Sequence, residues 1–260
     1  MGIEIKNLQA AYEDRVVIPC ANLTIPEEKI TMMIGQNGCG KSTLLKSIAR
    51  IIPIKKGEIF LDGISTKSIS SKMLAKKLAV LPQSPIVPEG ITVKNLVGFG
   101  RFPYQKALSG LTKEDYEIIE WAMNKTGVYE LRERKVEELS GGQRQRVWIS
   151  LALAQRTEIL LLDEPTTYLD MAHQLEILEL LQKLNEEEKT TIVVVIHELN
   201  HASKFADYVV GMKQGEILFK GAPKDVICEE NLRELYDIEA VLMKHEKKGY
   251  PVCIDYSLIR

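Results

Sequence analysis

The stretch ITMMIGQNGCGKSTLLKSI, Ile30 to Ile48, decides the fold. Its first five residues form a short, largely apolar run that stops at Gly35, which reads as a buried strand. From Lys41 the apolar residues Leu44, Leu45, Ile48 and Ile52 recur at helical spacing, and Pro53 with the turn Lys55 to Gly57 is expected to end that helix. Between strand and helix, Gly35, Gly40, Lys41 and Ser42 fit the pattern G-x-x-x-x-G-K-[ST] of a phosphate-cradling loop. Glycines there let consecutive backbone N–H groups turn inward around phosphate oxygens, and the helix start adds positive potential. On this reading Lys41 sits on the β- and γ-phosphates of a nucleotide and Ser42 offers its hydroxyl to Mg²⁺. The plainer reading, a glycine-rich turn that happens to hold a lysine, does not account for the strand before it and the helix after it.

Working outward, IEI at Ile3 to Ile5, VVI at Val16 to Ile18 and LTI at Leu23 to Ile25 alternate with turn residues and predict short strands. Downstream, ILLLDEP at Ile159 to Pro165 is a buried strand ending in two acids. Unpaired buried carboxylates are costly, so a purpose is expected: Asp163 can hold Mg²⁺ and Glu164 can polarise an attacking water, unless both simply mark a strand end in solvent. The run LSGGQRQR, Leu139 to Arg146, opens a helix. Ser140 and Gln143 there are also explained by a capping box, but two consecutive glycines in a first turn cost helix propensity. A bulky anion approaching the backbone would account for Gly141 and Gly142, making this helix start a second phosphate site and pointing to a dimer.

Single residues carry weaker signals. Tyr12, in the turn-rich AAYEDR, can stack on a base or be an ordinary surface tyrosine. Gln83, in VLPQSP, can contact metal or water or be a loop residue. His197 ends TIVVVI at a sheet's carboxyl edge, where ligands bind in open α/β sheets, or is a polar terminator. Asp170 can cap the helix starting near Met171.

The chain has 260 residues, 34 Lys+Arg against 36 Asp+Glu, and a formal net charge of −2. That balance is expected of a folded soluble protein and denies a nucleic-acid binder its basic surplus. No apolar run approaches the roughly 20 residues of a membrane-spanning helix. MGIEIKNLQA lacks the apolar stretch of a signal peptide, so the protein is expected to stay where it is made. The four cysteines include no CxxC pair, which fits a reducing compartment. Residues 84–157 carry three prolines and helical patterns such as EDYEIIEWAMNKTG without a buried strand, predicting a mainly helical insertion. A helix is expected from Ala172 to Asn185, and VVGMKQGEILFKG, Val209 to Gly221, reads as a hairpin turning at Gln214-Gly215.

Together these motifs resemble the ATP-binding subunit of ABC transporters, in that family's order: aromatic loop, phosphate loop, Gln loop, LSGGQ signature, acidic strand, D-loop and His loop. The resemblance runs to about Pro223. GQNGCGKSTLLK, GRFPYQ (Gly100 to Gln105), ELSGGQRQRVWISLALAQ and DEPTTYLDMAHQ look like the ATPases of ferric-siderophore, haem and cobalamin importers, the iron(III) dicitrate and ferrichrome types nearest. It implies an α/β P-loop NTPase (RecA-like) parallel-sheet core with an N-terminal antiparallel β subdomain and an inserted helical subdomain. The expected segments are 1–83, β subdomain and first part of the core; 84–157, helical signature subdomain; 158–230, remainder of the core; and 231–260, a tail with no reading.

The implied mechanism is ATP hydrolysis by two copies that sandwich two ATPs. Tyr12 would stack on adenine; Gly35, Gln36, Asn37, Gly38, Cys39, Gly40, Lys41, Ser42 and Thr43 would hold phosphates; and Ser42, Gln83 and Asp163 would serve Mg²⁺. Glu164 would be the general base, with His197 on the γ-phosphate and attacking water. Ser140, Gly141, Gly142 and Gln143, helped by Asp170, would act on the other copy's ATP. The implied partners are a second copy in the ATP-bound state, two transmembrane permease subunits and, indirectly, a periplasmic or surface-anchored substrate-binding protein, with no nucleic acid. The implied location is peripheral, on the cytoplasmic membrane face. Other readings are a haem or cobalamin importer ATPase, or a non-transport ABC ATPase such as an iron–sulfur assembly factor. ABC-type ATPases that act on nucleic acid carry a long coiled coil between the phosphate loop and LSGGQ or two nucleotide units in one chain; here Ser140 follows Lys41 by 99 residues (140 − 41) and each motif occurs once.

Overall fold

The computed structural model describes residues 2–106 and 110–259. Its chain divides into two compact units: Met1–Ile69 with Leu184–Arg260, and Ser70–Lys183. The first unit opens with β1 (Ile3–Tyr12) and β2 (Arg15–Ile25), followed by β3 (Ile30–Ile34), α1 (Lys41–Ile48), β4 (Ile54–Leu61) and β5 (Ile64–Ser65). The stretches VVI and LTI, read as separate strands, lie on the single strand β2. Pro19 interrupts the apolar pattern there, yet the strand continues, because β2 is the edge of the antiparallel sheet β2-β1-β4-β5 and an edge tolerates a missing N–H. All five residues of β3 are buried, as its unbroken run required.

Helix α1 is shorter than its periodicity implied. The chain leaves the helix through Arg50, in a left-handed conformation at φ 57, and Ile51 N donates back to Lys46 O at 2.9 Å. This back-bond satisfies an end carbonyl as a glycine terminus normally does. The Arg50 guanidinium holds the bend by donating to Thr66 O and Ile69 O. Ile52 is buried all the same, so its apolar spacing records burial beyond the helix end.

The second unit contains α2 (Ser71–Leu74), β6 (Leu78–Leu81), α3 (Val93–Gly98), α4 (Lys113–Lys125), α5 (Gly141–Ala154), β7 (Ile159–Asp163) and the first part of α6 (Met171–Glu188). Strands β6 and β7 are parallel, with Leu81 opposite Leu162. Helices α3, α4 and α5 pack together. The motif GRFPYQ is the joint among them. Arg101 Nε donates to Asp115 Oδ1 at 2.8 Å and its Nη1 to Ala154 O at 2.8 Å, while Tyr104 donates to Gln155 O at 2.9 Å. Gly100 lies so close to Leu151 O that an added Cβ would stand 2.4 Å from it. The capping box of Thr112 and Asp115 starts α4 at the same joint.

The first unit resumes with β8 (Thr191–Val195), α7 (Leu199–Phe205), β9 (Tyr208–Lys213), β10 (Glu216–Gly221), α8 (Pro223–Val226), α9 (Glu229–Tyr236), β11 (Ile238–Lys244) and β12 (Pro251–Leu258). Strand β3 runs parallel to both β8 and β9. Strands β9 and β10 form the expected hairpin, with Gln214 and Gly215 both at positive φ, as a type I′ turn demands. Helix α6 buries Ile177, Leu178, Leu181 and Leu184. The unread tail is α9 and an antiparallel β11–β12 pair. Among the described residues no helix is long and apolar enough to cross a membrane.

Candidate functional site

The phosphate loop follows β3 directly. Gly35 sits at φ 145 with Met212 O so near that a Cβ would lie 2.1 Å from it, so only glycine fits that exit. Gln36, Asn37 and Gly38 form an exposed crest, whereas Cys39, Gly40, Lys41 and Thr43 are buried and Ser42 half-buried. Gly40 opens α1 with no side-chain cap and no acid in the first turn, which leaves the positive helix end to an anion. Lys41 is 4% exposed. Its Nζ donates to Gly35 O at 2.7 Å and Gln36 O at 3.0 Å and lies 3.8 Å from Cys39 Sγ. The loop is anchored from behind by Gly215 N, which donates to Cys39 O at 2.8 Å.

The sheet register places His197. Met33 pairs with Val195, and Ile196 N donates to Met33 O at 3.1 Å, so Gly35 and His197 leave the same carboxyl edge of the parallel strands. Tyr12 ends β1 opposite Arg15, and its side chain is half exposed.

The second unit assembles the acidic centre. Asp163 ends β7 and is 1% exposed. Glu164 takes a left-handed conformation at φ 53, and its Oε2 accepts from Gln83 Nε2 at 2.5 Å and Thr167 Oγ1 at 3.1 Å. The parallel register of β6 and β7 brings Gln83 level with Glu164, so these two predicted residues meet. Gln83 thereby spends its amide N–H on the carboxylate. Its carbonyl oxygen and the Asp163 carboxylate, in this unit, are hard oxygen donors, the kind Mg²⁺ takes, as the Ser42 hydroxyl is in the first unit. No group of three or more His, Cys, Asp or Glu side chains that could hold a metal occurs among the described residues.

The signature turn forms the full capping box: Gln143 N donates to Ser140 Oγ at 3.3 Å and Ser140 N to Gln143 Oε1 at 3.1 Å. The glycines separate in role. A Cβ on Gly142 would stand 2.5 Å from His173 Cδ2, so its smallness is demanded inside this chain as well. Gly141 has no such neighbour, its added Cβ meeting only Leu169 at 3.5 Å.

Asp170 caps α6. Its Oδ1 accepts from His173 N at 2.9 Å and from His173 Nδ1 at 2.8 Å. These bonds, led by the His173 backbone N–H, hold the Asp170 carboxyl below the ordinary carboxylate range. The structure thus joins the signature turn to the Asp170 loop through His173. Sequence reasoning quoted His173 within DMAHQ without giving it a role, and it missed Thr167, whose position three residues after Glu164 was the available signal.

A family model described as "ABC transporter" matches residues 20–167. The iron(3+)-hydroxamate import ATP-binding protein FhuC of Bacillus subtilis is 48% identical over 100% of this chain and 96% of its own. The petrobactin import ATP-binding protein FpuD of Bacillus anthracis is 46% identical over 98% of this chain and 94% of its own. Among solved structures, a metal-chelate type ABC transporter in an inward-facing conformation superimposes with TM-score 0.84 at 25% identity, covering 97% of this chain and 96% of that one. The dimeric structure of the bacterial ABC transporter cassette MJ0796 gives TM-score 0.74 at 31% identity, covering 85% of this chain and 98% of that one.

Proposed function

This chain belongs to the ABC transporter ATP-binding family and is an ATPase, and from that premise we propose that it powers import of an iron(III)–siderophore complex through a two-subunit membrane permease. The observation that carries the catalytic reading is the Glu164 carboxylate, fixed by the Gln83 amide and the Thr167 hydroxyl beside the buried Asp163. A carboxylate oriented by two donors is pre-positioned to take a proton from water. Lys41 and the loop amides from Gly35 to Thr43 hold the phosphates, Tyr12 stacks on adenine, and His197 orients the γ-phosphate and water. Ser42, Gln83 and Asp163 would hold Mg²⁺, which would supply charge neutralisation for the phosphates. Ser140, Gly141, Gly142 and Gln143, with Asp170, act on the ATP of a second copy. The proposed functional segments are 1–83, 84–157, 158–230 and 231–260, and the subunit works at the cytoplasmic membrane face.

Two relatives of nearly equal identity carry the names of different siderophores, which supports a ferric-siderophore class rather than one compound. Glu164→Gln should cut ATP turnover by about 10²-fold or more while ATP still binds. Cells carrying only that variant should fail to take up ferric hydroxamate. Near-normal turnover removes Glu164 from the base role, and undiminished uptake by cells lacking the chain removes the substrate assignment.

A further inference from the structure

The C-terminal segment touches both elements that leave the carboxyl edge of β3 and β8. At the first, Asp237 Oδ2 accepts from the exposed phosphate-loop side chain of Gln36, Nε2 to Oδ2 3.0 Å. Lys213 Nζ donates to both Asp237 oxygens, at 2.8 and 2.9 Å, and to Glu234 O at 2.6 Å. The Tyr236 hydroxyl is buried with the Gly35 backbone beside it. At the second, Asn200 on α7, three residues after His197, exchanges two hydrogen bonds with the Cys253 backbone, at 3.0 and 2.8 Å, and Ser203 donates to Pro251 O.

We propose that the C-terminal segment braces the nucleotide site, with Asp237 as the positioning residue that fixes Gln36 and, through the Gln36 carbonyl, the phosphate-binding Lys41. The connection is continuous: Lys213 to Asp237, Asp237 to the Gln36 side chain, and the Gln36 carbonyl to Lys41 Nζ at 3.0 Å. Asp237 ends α9 in a left-handed conformation at φ 59, which most L-residues adopt only at a cost. An exposed ion pair contributes little to stability, so the function of this one is placement. An otherwise free loop side chain is tied to the hairpin that also anchors the loop at Cys39.

The proposal rests on the ATPase reading, and wild-type turnover together with its loss in Glu164→Gln tests that reading on the same full-length preparation. Asp237→Gly keeps the backbone conformation and removes the carboxylate. It should raise the KM for ATP threefold to tenfold with kcat within twofold. Asp237→Asn, which still offers an oxygen to Gln36, should recover most of the loss. In a Gln36→Ala background the glycine variant should add no further change. An unchanged KM in Asp237→Gly, or an equal further increase after Gln36 has been replaced, overturns the brace.

Discussion

At the scale of the residue, Gly142 shows how one side chain can decide whether a glycine is required. A helix position normally gains up to about 1 kcal/mol when glycine becomes alanine. Here the new methyl meets the His173 ring, which the Nδ1 bond to Asp170 keeps from swinging away. Gly142→Ala should therefore destabilise the chain by about 1–3 kcal/mol, the usual cost of overpacking. The same change made in His173→Ala should be neutral or stabilising. Urea unfolding of the four proteins checks this, and equal effects in both backgrounds would remove His173 as the cause. The glycine pair was legible as an anomaly in the sequence, but its division into one packing glycine and one open position depended on a partner distant along the chain.

At the scale of the element, the joint around GRFPYQ depends on a charge pair almost out of water: Arg101 and Asp115 are 4% and 6% exposed. Burial pushes the Asp115 carboxyl up, but the Thr112 backbone N–H, the Arg101 guanidinium and the Thr112 hydroxyl outweigh it and hold the group below its ordinary value of 3.8. A depressed carboxylate contributes stability that is fully present above the unfolded value and lost as pH falls through the folded one. Asp115→Asn leaves Arg101 buried without its counter-charge and should cost about 3 kcal/mol at pH 7. The gap between wild type and variant in thermal midpoint should stay constant from about pH 7 to 5 and narrow below about pH 4. A gap that persists undiminished at pH 3 would show that packing, not charge, holds the joint. Elements were legible wherever local pattern and burial coincide, as in β3, β7, β8 and the β9–β10 hairpin. They were misread where the pattern outlasts the element, as at Ile52 beyond α1, or where an edge strand absorbs a proline, as at Pro19.

At the scale of the whole molecule, the motifs that name the chemistry could be read in order because each is a local strand-end or helix-start device. The tail could not, since α9 and the β11–β12 pair show little apolar alternation and leave Val241, Met243, Ile254 and Tyr256 exposed. Their meaning lies in contacts with Gln36 and Asn200 far upstream. On the proposed sharing of the signature turn between two copies, Glu164→Gln with saturating ATP should run on size exclusion at about twice the mass of a single chain, and the ATP-free protein should not. A monomer under both conditions removes the shared-site arrangement from this protein.

The hold of Lys41 on the Gly35 and Gln36 carbonyls gives the loop a threshold. An ammonium carries three N–H donors, so the two carbonyls steer Lys41 and leave it capacity for a ligand oxygen. Bonds from an ammonium are charge-assisted whichever oxygen accepts, but an ionised acceptor adds a charge–charge attraction that a carbonyl lacks, so the site favours an acceptor carrying real negative charge. A nucleoside or a monophosphate that stops short of the lysine gains none of this attraction. The loop thus discriminates by the charge delivered at one point, and affinity should rise in a single step when a second phosphate reaches Lys41 rather than evenly along the chain of phosphates.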